Sequence, residues 1–169
     1  MIVDLVSDLR ELTASLPPLL QWLVVMLAGA LPFIESYYGS VMGITAGVPP
    51  LVAIAAAIIG NIASTLGCIA GAARFRRRRA ARPPSASRRA RPQIESARRA
   101  RLRQRFDKYG VVGVSLTSQA ILPSQITSVM MIGMGAPVWR VAAWQCISIC
   151  LWGVAYGSLA ALGVTLLTS

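Results

Sequence analysis

The chain of 169 residues has no histidine, a single lysine and six acidic residues. Without histidine, neither a Ser-His-Asp nor a Cys-His centre can form, and no His-ligated metal site is possible. Charged residues make up 14% of the chain, against about 25% in an average soluble domain. Outside the stretch between Arg74 and Lys108 the acids are Asp4, Asp8, Glu11 and Glu35, and the first three share one short N-terminal segment. Glu35 therefore lacks a second carboxylate with which to build a hydrolytic pair. Cys68, Cys146 and Cys150 show no CxxC spacing. Cys146 and Cys150 are four apart, share a helix face, and read as small apolar packing residues. The expectation is a protein that is not an enzyme, with no metal ligands and no cofactor.

What is present is largely apolar. Hydrophobic residues are 55% of the chain, the mean hydropathy is +0.60, and the net charge is +11. That charge is concentrated: 15 of the 17 basic residues lie between Arg74 and Lys108, alongside Glu95 and Asp107, so this stretch carries +13 and the remainder −2. Two apolar halves joined by one basic segment have the composition of an integral membrane protein. A linker over 74–108 is short enough for the positive-inside rule to place it in the cytoplasm. Within it the run Arg76 to Arg79 precedes a flexible or extended Pro83-Pro84-Ser85-Ala86-Ser87 link and a polar, arginine-rich helix predicted over 93–105. Near anionic lipid head groups each basic side chain gains about 1 kcal/mol, which makes membrane lipid the expected partner. Nucleic acid is not expected: it calls for interleaved aromatics, and Phe75, Phe106 and Tyr109 stand only at the margins. The excess of arginine over lysine points to a GC-rich bacterial genome, and with it to the bacterial inner membrane.

Residues 1–16 predict an amphipathic helix. Ile2, Leu5, Leu9, Leu12 and Leu16 recur in steps of 3 and 4 with Asp4, Asp8 and Glu11 on the other face. It is too short and too charged to span, so it lies at the membrane interface or covers the bundle. It lacks the basic start of a signal peptide. Pro17-Pro18 ends it.

The two halves repeat one layout. Residues 19–47 are broken near the middle by Leu31-Pro32-Phe33-Ile34-Glu35-Ser36, then run through Gly47-Val48-Pro49 into an uncharged span over 50–73. Residues 110–135 are broken by Gln119-Ala120-Ile121-Leu122-Pro123-Ser124-Gln125, then run through Gly135-Ala136-Pro137 into a span over 138–167 that carries Trp139, Trp144, Trp152 and Tyr156. Each span has a GxxxG, Gly67 to Gly71 and Gly153 to Gly157, the spacing that permits homo-oligomers through close helix approach; packing against the protein's own hairpins is the alternative. Each arm flanking a proline reaches only about 16 to 21 Å and cannot cross a core of about 30 Å. Paired interrupted segments of this kind mark transporter binding sites, and broken backbone at membrane depth is tolerated only in protein or at a wet cavity. The predicted fold is all-α and integral to the membrane: an inverted repeat of re-entrant helical hairpin plus transmembrane helix. The alternative is that the first arm of each half spans alone, giving four plain helices.

The candidate site follows. An ionisable group at membrane depth costs at least about 2.5 kcal/mol, so Glu35 needs a reason to be there. Three residues past Pro32, it stands in the first turn of the hairpin's second arm. The helix end favours its anion and desolvation favours its neutral form, an opposition that suits proton coupling. A helix cap or an exposed loop position is the alternative. Gln119, Ser124, Gln125 and Thr127 beside Pro123 offer neutral donors and acceptors, as does midspan Asn61, whose alternative role is helix-packing glue. Gln145 and Ser148 are weaker counterparts in the second span. Hairpins entering from opposite faces would bring Glu35, Asn61, Gln119 and Gln125 together at mid-depth.

Pro32-Phe33-Ile34-Glu35 with Gly39, then Gly60-Asn61, then Phe106-Asp107-Lys108-Tyr109-Gly110, then Leu122-Pro123 and Gly133-Met134-Gly135 resemble the small multi-drug export family, a branch of the DedA/VTT (SNARE-associated) superfamily of membrane proteins. The resemblance covers most of residues 20–160 outside the basic linker. It implies two opposed re-entrant hairpins, each followed by a transmembrane helix, and proton-coupled transport or lipid translocation, with the family's membrane-embedded acid at Glu35. One departure bears on substrate: arginines that DedA-like members carry near the hairpins are replaced here by Ala120, Ile126 and Tyr37, leaving Arg140 as the nearby cation. The expected function is a proton-coupled exporter of small or lipophilic substrates. The alternatives are a lipid flippase or scramblase and a non-transporting membrane scaffold.

Overall fold

The computed structural model describes residues 2–81, 110–117, 119 and 122–168. The described residues form helices and turns, with no strand: α1 (Ile2–Ser15), α2 (Pro18–Ala30), α3 (Glu35–Thr45), α4 (Pro50–Ala80), α5 (110–117), α6 (Ser124–Gly133) and α7 (Val138–Thr168). The described residues are all-helical in their regular structure, and α4 and α7 are each long and apolar enough to cross a membrane. At 31 residues each reaches about 46 Å.

Proline sets most of the helix starts. Pro18 and Pro50 occupy the first turns of α2 and α4, where the missing N–H is unneeded and the fixed φ suits a helix. Pro123 immediately precedes α6. The exits from α3 and α6 share one construction. Gly47 (φ 92°) and Gly135 (φ 100°) adopt the left-handed conformation just past the helix ends. Val48 N–H then donates to Gly43 O and Ala136 N–H to Met131 O, both at 3.0 Å, closing a Schellman-type cap. Pro49 and Pro137 follow and launch α4 and α7.

The breaks themselves differ. Between α2 and α3 the chain makes a turn over 31–34, in which Phe33 (φ 74°) and then Glu35 (φ 54°) are left-handed. Non-glycine residues pay roughly 1–2 kcal/mol each for that conformation. Pro32 lies in this exposed turn, three residues before α3, whereas Pro123 is buried directly at the start of α6.

Each short helix after a break packs on the long helix of the other half, α3 on α7 and α6 on α4. α4 and α7 run antiparallel, since Gly153 packs on Ile58 and Gly157 on Ile54. α2 crosses α4 where Gly29 and Gly60 are found: a Cβ on Gly29 would strike the Ala57 backbone, and one on Gly60 the Met26 carbonyl. One core gathers Val25, Ala28, Ile34, Met42, Ala53 and Ala57; a second gathers Ile69, Val114, Met131, Ile132 and Val141. Outside these cores, α7 turns Leu151, Val154, Leu159, Leu162 and Leu166 outward.

Two expectations are adjusted. The apolar span predicted over 50–73 continues as one helix to Ala80, because arginine is a good helix former and Arg76 finds partners: its Nη1 donates to Ile132 O at 3.2 Å and Ala136 O at 3.0 Å, capping the end of α6. α1 covers the bundle against α2 and α3, but through Val6, Leu9 and fully buried Thr13, while Leu5 and Leu12 face outward. The period is as expected, and the packed stripe keeps Leu9 but takes Val6 and Thr13 in place of Leu5 and Leu12. The remainder of the basic linker, including the helix predicted over 93–105, lies outside the described residues.

Candidate functional site

Both breaks meet in the interior. Glu35, fully buried at the start of α3, accepts a hydrogen bond through Oε1 from the backbone N–H of Ser124, the first residue of α6. The side chain preceding α6 is a proline and offers no cap. The carboxylate from one half thus serves the unsatisfied N–H groups and positive dipole end of a helix in the other half.

Around this contact stands a buried polar cluster built on α4 and α6. Asn61 and Thr65 are one helical turn apart on α4, so their side chains share a face. Asn61 Oδ1 accepts from Ser124 Oγ at 3.1 Å, from Gln125 Nε2 at 3.3 Å and from Thr65 Oγ1 at 3.3 Å. Thr65 and Ser124 hydroxyls lie 3.0 Å apart. Gln125 Nε2 also donates to Ser64 Oγ at 3.0 Å and to the carbonyl of Ala30, at the end of α2, at 3.5 Å. Ser36, next to Glu35, donates to the Ile149 carbonyl of α7 at 2.9 Å. All six helices other than α1 therefore touch this region or the layer around it, counting Ser148, which donates to Ser115 O of α5 at 2.7 Å.

The cluster is incompletely paired. Among the described residues, Glu35 Oε2, Asn61 Nδ2, Thr127 Oγ1 and Ser128 Oγ are buried without a hydrogen-bond partner. Each such atom carries a desolvation penalty of about 1–3 kcal/mol, a cost that a purely structural core would shed by using apolar residues. The group can hold a proton on Glu35 Oε2 and can present amide and hydroxyl donors to a second species.

Of the sequence-predicted site residues, Glu35, Asn61, Ser124 and Gln125 come together, and Pro123 sets the start of α6 beside them. Pro32 stays in the exposed turn. Gln119 makes no hydrogen bond to this cluster and lines a cavity with Tyr37, Tyr38, Trp152 and Tyr156, and Gln145 is buried on α7 with neither amide atom paired among the described residues. Sequence reasoning missed Ser64 and Thr65. Their signal was present in the three- and four-residue spacing from Asn61, which places polar groups on one face of an otherwise apolar helix. It also missed Ser36, whose partner is a backbone carbonyl in the other half and leaves no trace in sequence. Comparison of this chain with protein-family models, with curated proteins and with solved structures finds no match to any of them.

Proposed function

We propose that this protein is a proton-coupled carrier of small or lipophilic substrates in the bacterial inner membrane. Its α4 and α7 cross the bilayer, and its two broken segments enter as re-entrant hairpins from opposite faces. The outward apolar residues of α7 support the membrane reading, because an exposed surface of that kind is costly in water and free in lipid. The lengths of α2 and α3, 13 and 11 residues, support re-entry: they reach about 20 and 17 Å. The resemblance of the Pro32–Glu35 and Leu122–Pro123 regions to the small multi-drug export family points the same way.

The observation that carries the reading is the Glu35–Ser124 contact. An ionised Glu35 is held at the positive end of α6; a protonated one loses the charge–dipole part of that attraction, about 0.3–1 kcal/mol and up to about 2 in buried geometry. A change of 1–2 kcal/mol moves a two-state equilibrium roughly 5- to 30-fold. Proton binding thus biases whether the two hairpin tips are joined or apart, which is what alternating exposure of a site between them requires.

The test is flux in proteoliposomes under an imposed pH gradient, with three lipophilic probes of different charge: ethidium, Nile red and 8-anilinonaphthalene-1-sulfonate. Wild type moves at least one of them. Glu35→Gln abolishes that flux while folding is kept, since glutamine retains an oxygen for the Ser124 N–H and carries no titratable charge. Glu35→Asp keeps part of it with a displaced pH optimum, and Asn61→Ala does less harm than Glu35→Gln. Unchanged gradient-driven flux in Glu35→Gln would reduce the residue to a helix cap and end the proton-coupled reading; lipid translocation without probe flux would make the protein a scramblase.

A further inference from the structure

A second feature of the interior is not used by the proton chemistry. A cavity of about 160 Å³ is lined by Tyr37 and Tyr38 of α3, Trp152 and Tyr156 of α7, and Gln119. The four rings form a continuous wall: centroids lie 4.8 Å apart for Tyr37 and Tyr38, 5.6 Å for Tyr37 and Tyr156, and 5.6 Å for Trp152 and Tyr156, all tilted. Trp152 is fixed by its indole N–H, which donates to Leu116 O at 3.1 Å. Tyr38 and Tyr156, 47% and 38% exposed, stand at the mouth. Gln119 is 3% exposed, and neither its amide oxygen nor its amide nitrogen has a partner among the described residues.

These properties select a ligand. Aromatic faces present negative quadrupole to whatever they enclose. Among the described residues the lining contains no cationic side chain. An anion would meet repulsion from the ring faces with no cationic side chain among the described lining residues to offset it. A neutral apolar molecule would leave the Gln119 oxygen buried and unpaired, at a cost of about 1–3 kcal/mol. An organic cation with one N–H suits the rings and the amide oxygen together: its methyl groups lie on the rings and its proton goes to Gln119 Oε1, leaving only the amide nitrogen to be met by water or by the ligand's substituent. The volume is near that of a pocket that takes one benzene-sized group, so a dimethylammonium head fits while its larger substituent leaves past Tyr38 and Tyr156.

We propose that the Tyr37–Tyr38–Trp152–Tyr156 cavity is a binding site for protonated alkylamines, with Gln119 as the acceptor of the ammonium N–H. This names the substrate class of the carrier and rests on that reading for its place in transport. The same chemistry comes from a free amine or from the ethanolamine head group of a lipid.

The experiment is calorimetric titration of the full chain in phosphatidylglycerol nanodiscs at neutral pH. The probes are N,N-dimethylbenzylamine, benzyltrimethylammonium, which lacks the N–H, and isobutylbenzene, the neutral carbon analogue of the first. Dimethylbenzylamine is expected to bind about tenfold tighter than isobutylbenzene. Tyr156→Phe keeps that affinity within about threefold and Tyr156→Leu lowers it about tenfold. Gln119→Leu erases the preference for dimethylbenzylamine over benzyltrimethylammonium. Adding phosphatidylethanolamine to the nanodiscs weakens binding if the lipid head group is the occupant, and leaves it unchanged if free amines are. Equal binding of dimethylbenzylamine and isobutylbenzene overturns the proposal, as does an undiminished N–H preference in Gln119→Leu; the well-folded Tyr156→Phe protein serves as the reference if Tyr156→Leu does not fold. Because binding is read at equilibrium without a gradient, amine binding without any flux fails the carrier reading alone. Flux of Nile red without amine binding fails this inference alone.

Discussion

Asn61 is the residue on which the polar cluster converges. Its Oδ1 accepts from three side chains on two helices, so its loss takes a shared acceptor from Thr65, Ser124 and Gln125 at once, leaving the two hydroxyls each other and the Gln125 amide nitrogen only Ser64 and the Ala30 carbonyl. Asn61→Leu is expected to destabilise by about 1–3 kcal/mol, seen as a drop of roughly 2–4 °C in melting temperature per kcal/mol for a chain of this size. Thr65→Val, which removes a single hydroxyl at the edge of the cluster, should cost less. Equal melting of Asn61→Leu and wild type in detergent would mean that water already serves these donors. Glu35 presents the converse case. A lone acid in an apolar segment is conspicuous in sequence, and its seat at the start of α3 follows from Pro32. That its carboxylate caps a helix 89 positions onward follows from nothing local, because the partner is a backbone N–H that every non-proline residue possesses.

At the scale of elements, the glycines separate by what lies opposite them. Gly60 sits where α2 and α4 touch, and a Cβ there meets the Met26 backbone, whereas Gly67 and Gly71 on the same helix have nothing within 4 Å. Gly60→Ala is therefore expected to force the helices apart and cost about 1–3 kcal/mol, the usual range for overpacking. Gly67→Ala should be neutral or slightly stabilising, by up to about 1 kcal/mol from helix propensity. Thermal melts of the two variants side by side check the contrast. The second GxxxG is occupied from within the chain: Gly153 and Gly157 receive Ile58, Ile54, Ser36 and Ser40. A homo-oligomer built on such spacing accordingly uses the Gly67–Gly71 face, and Gly67→Leu should shift the sedimenting species in matched detergent; an unchanged species would remove that face from assembly. The spacing alone could not tell these two motifs apart, since both read as small residues four apart on an apolar helix.

At the scale of the molecule, charge and packing bear on the same orientation. α4 delivers the chain into the basic stretch, and Arg76 in its last turns reaches the end of α6 and the turn that starts α7. α7 therefore begins at the end of the molecule where α4 finishes, and the two run antiparallel. With +13 on the stretch from Arg74 to Lys108 and −2 elsewhere, that end is expected in the cytoplasm, with both chain termini outside if the hairpins are re-entrant. Ala86→Cys in a background lacking Cys68, Cys146 and Cys150 should be labelled by an impermeant maleimide only after the inner face is opened. Labelling in intact spheroplasts would reverse the orientation, and a cytoplasmic N-terminus would favour four plain spans.

Sequence by itself determined the elements and their punctuation. Proline, glycine and hydropathy act over a few residues, so the breaks at Pro17-Pro18 and around Pro32 and Pro123, the Gly-x-Pro entries to α4 and α7 and the two long apolar helices were all readable from local pattern. So was the identity of Glu35, Asn61, Ser124 and Gln125 as polar groups out of place in apolar surroundings. Tertiary structure decided which of them meet. It brought Glu35 to the start of α6, set Gln119 in a cavity with the rings of Tyr37 and Trp152, put Val6 and Thr13 of α1 inward in place of Leu5 and Leu12, and filled one GxxxG while leaving the other open among the described residues. The physical reason is the same in each case. Short-range preferences fix backbone conformation, but the direction a side chain faces and the partner it finds depend on how helices far apart in sequence pack, and that is set by shape and burial across the whole chain.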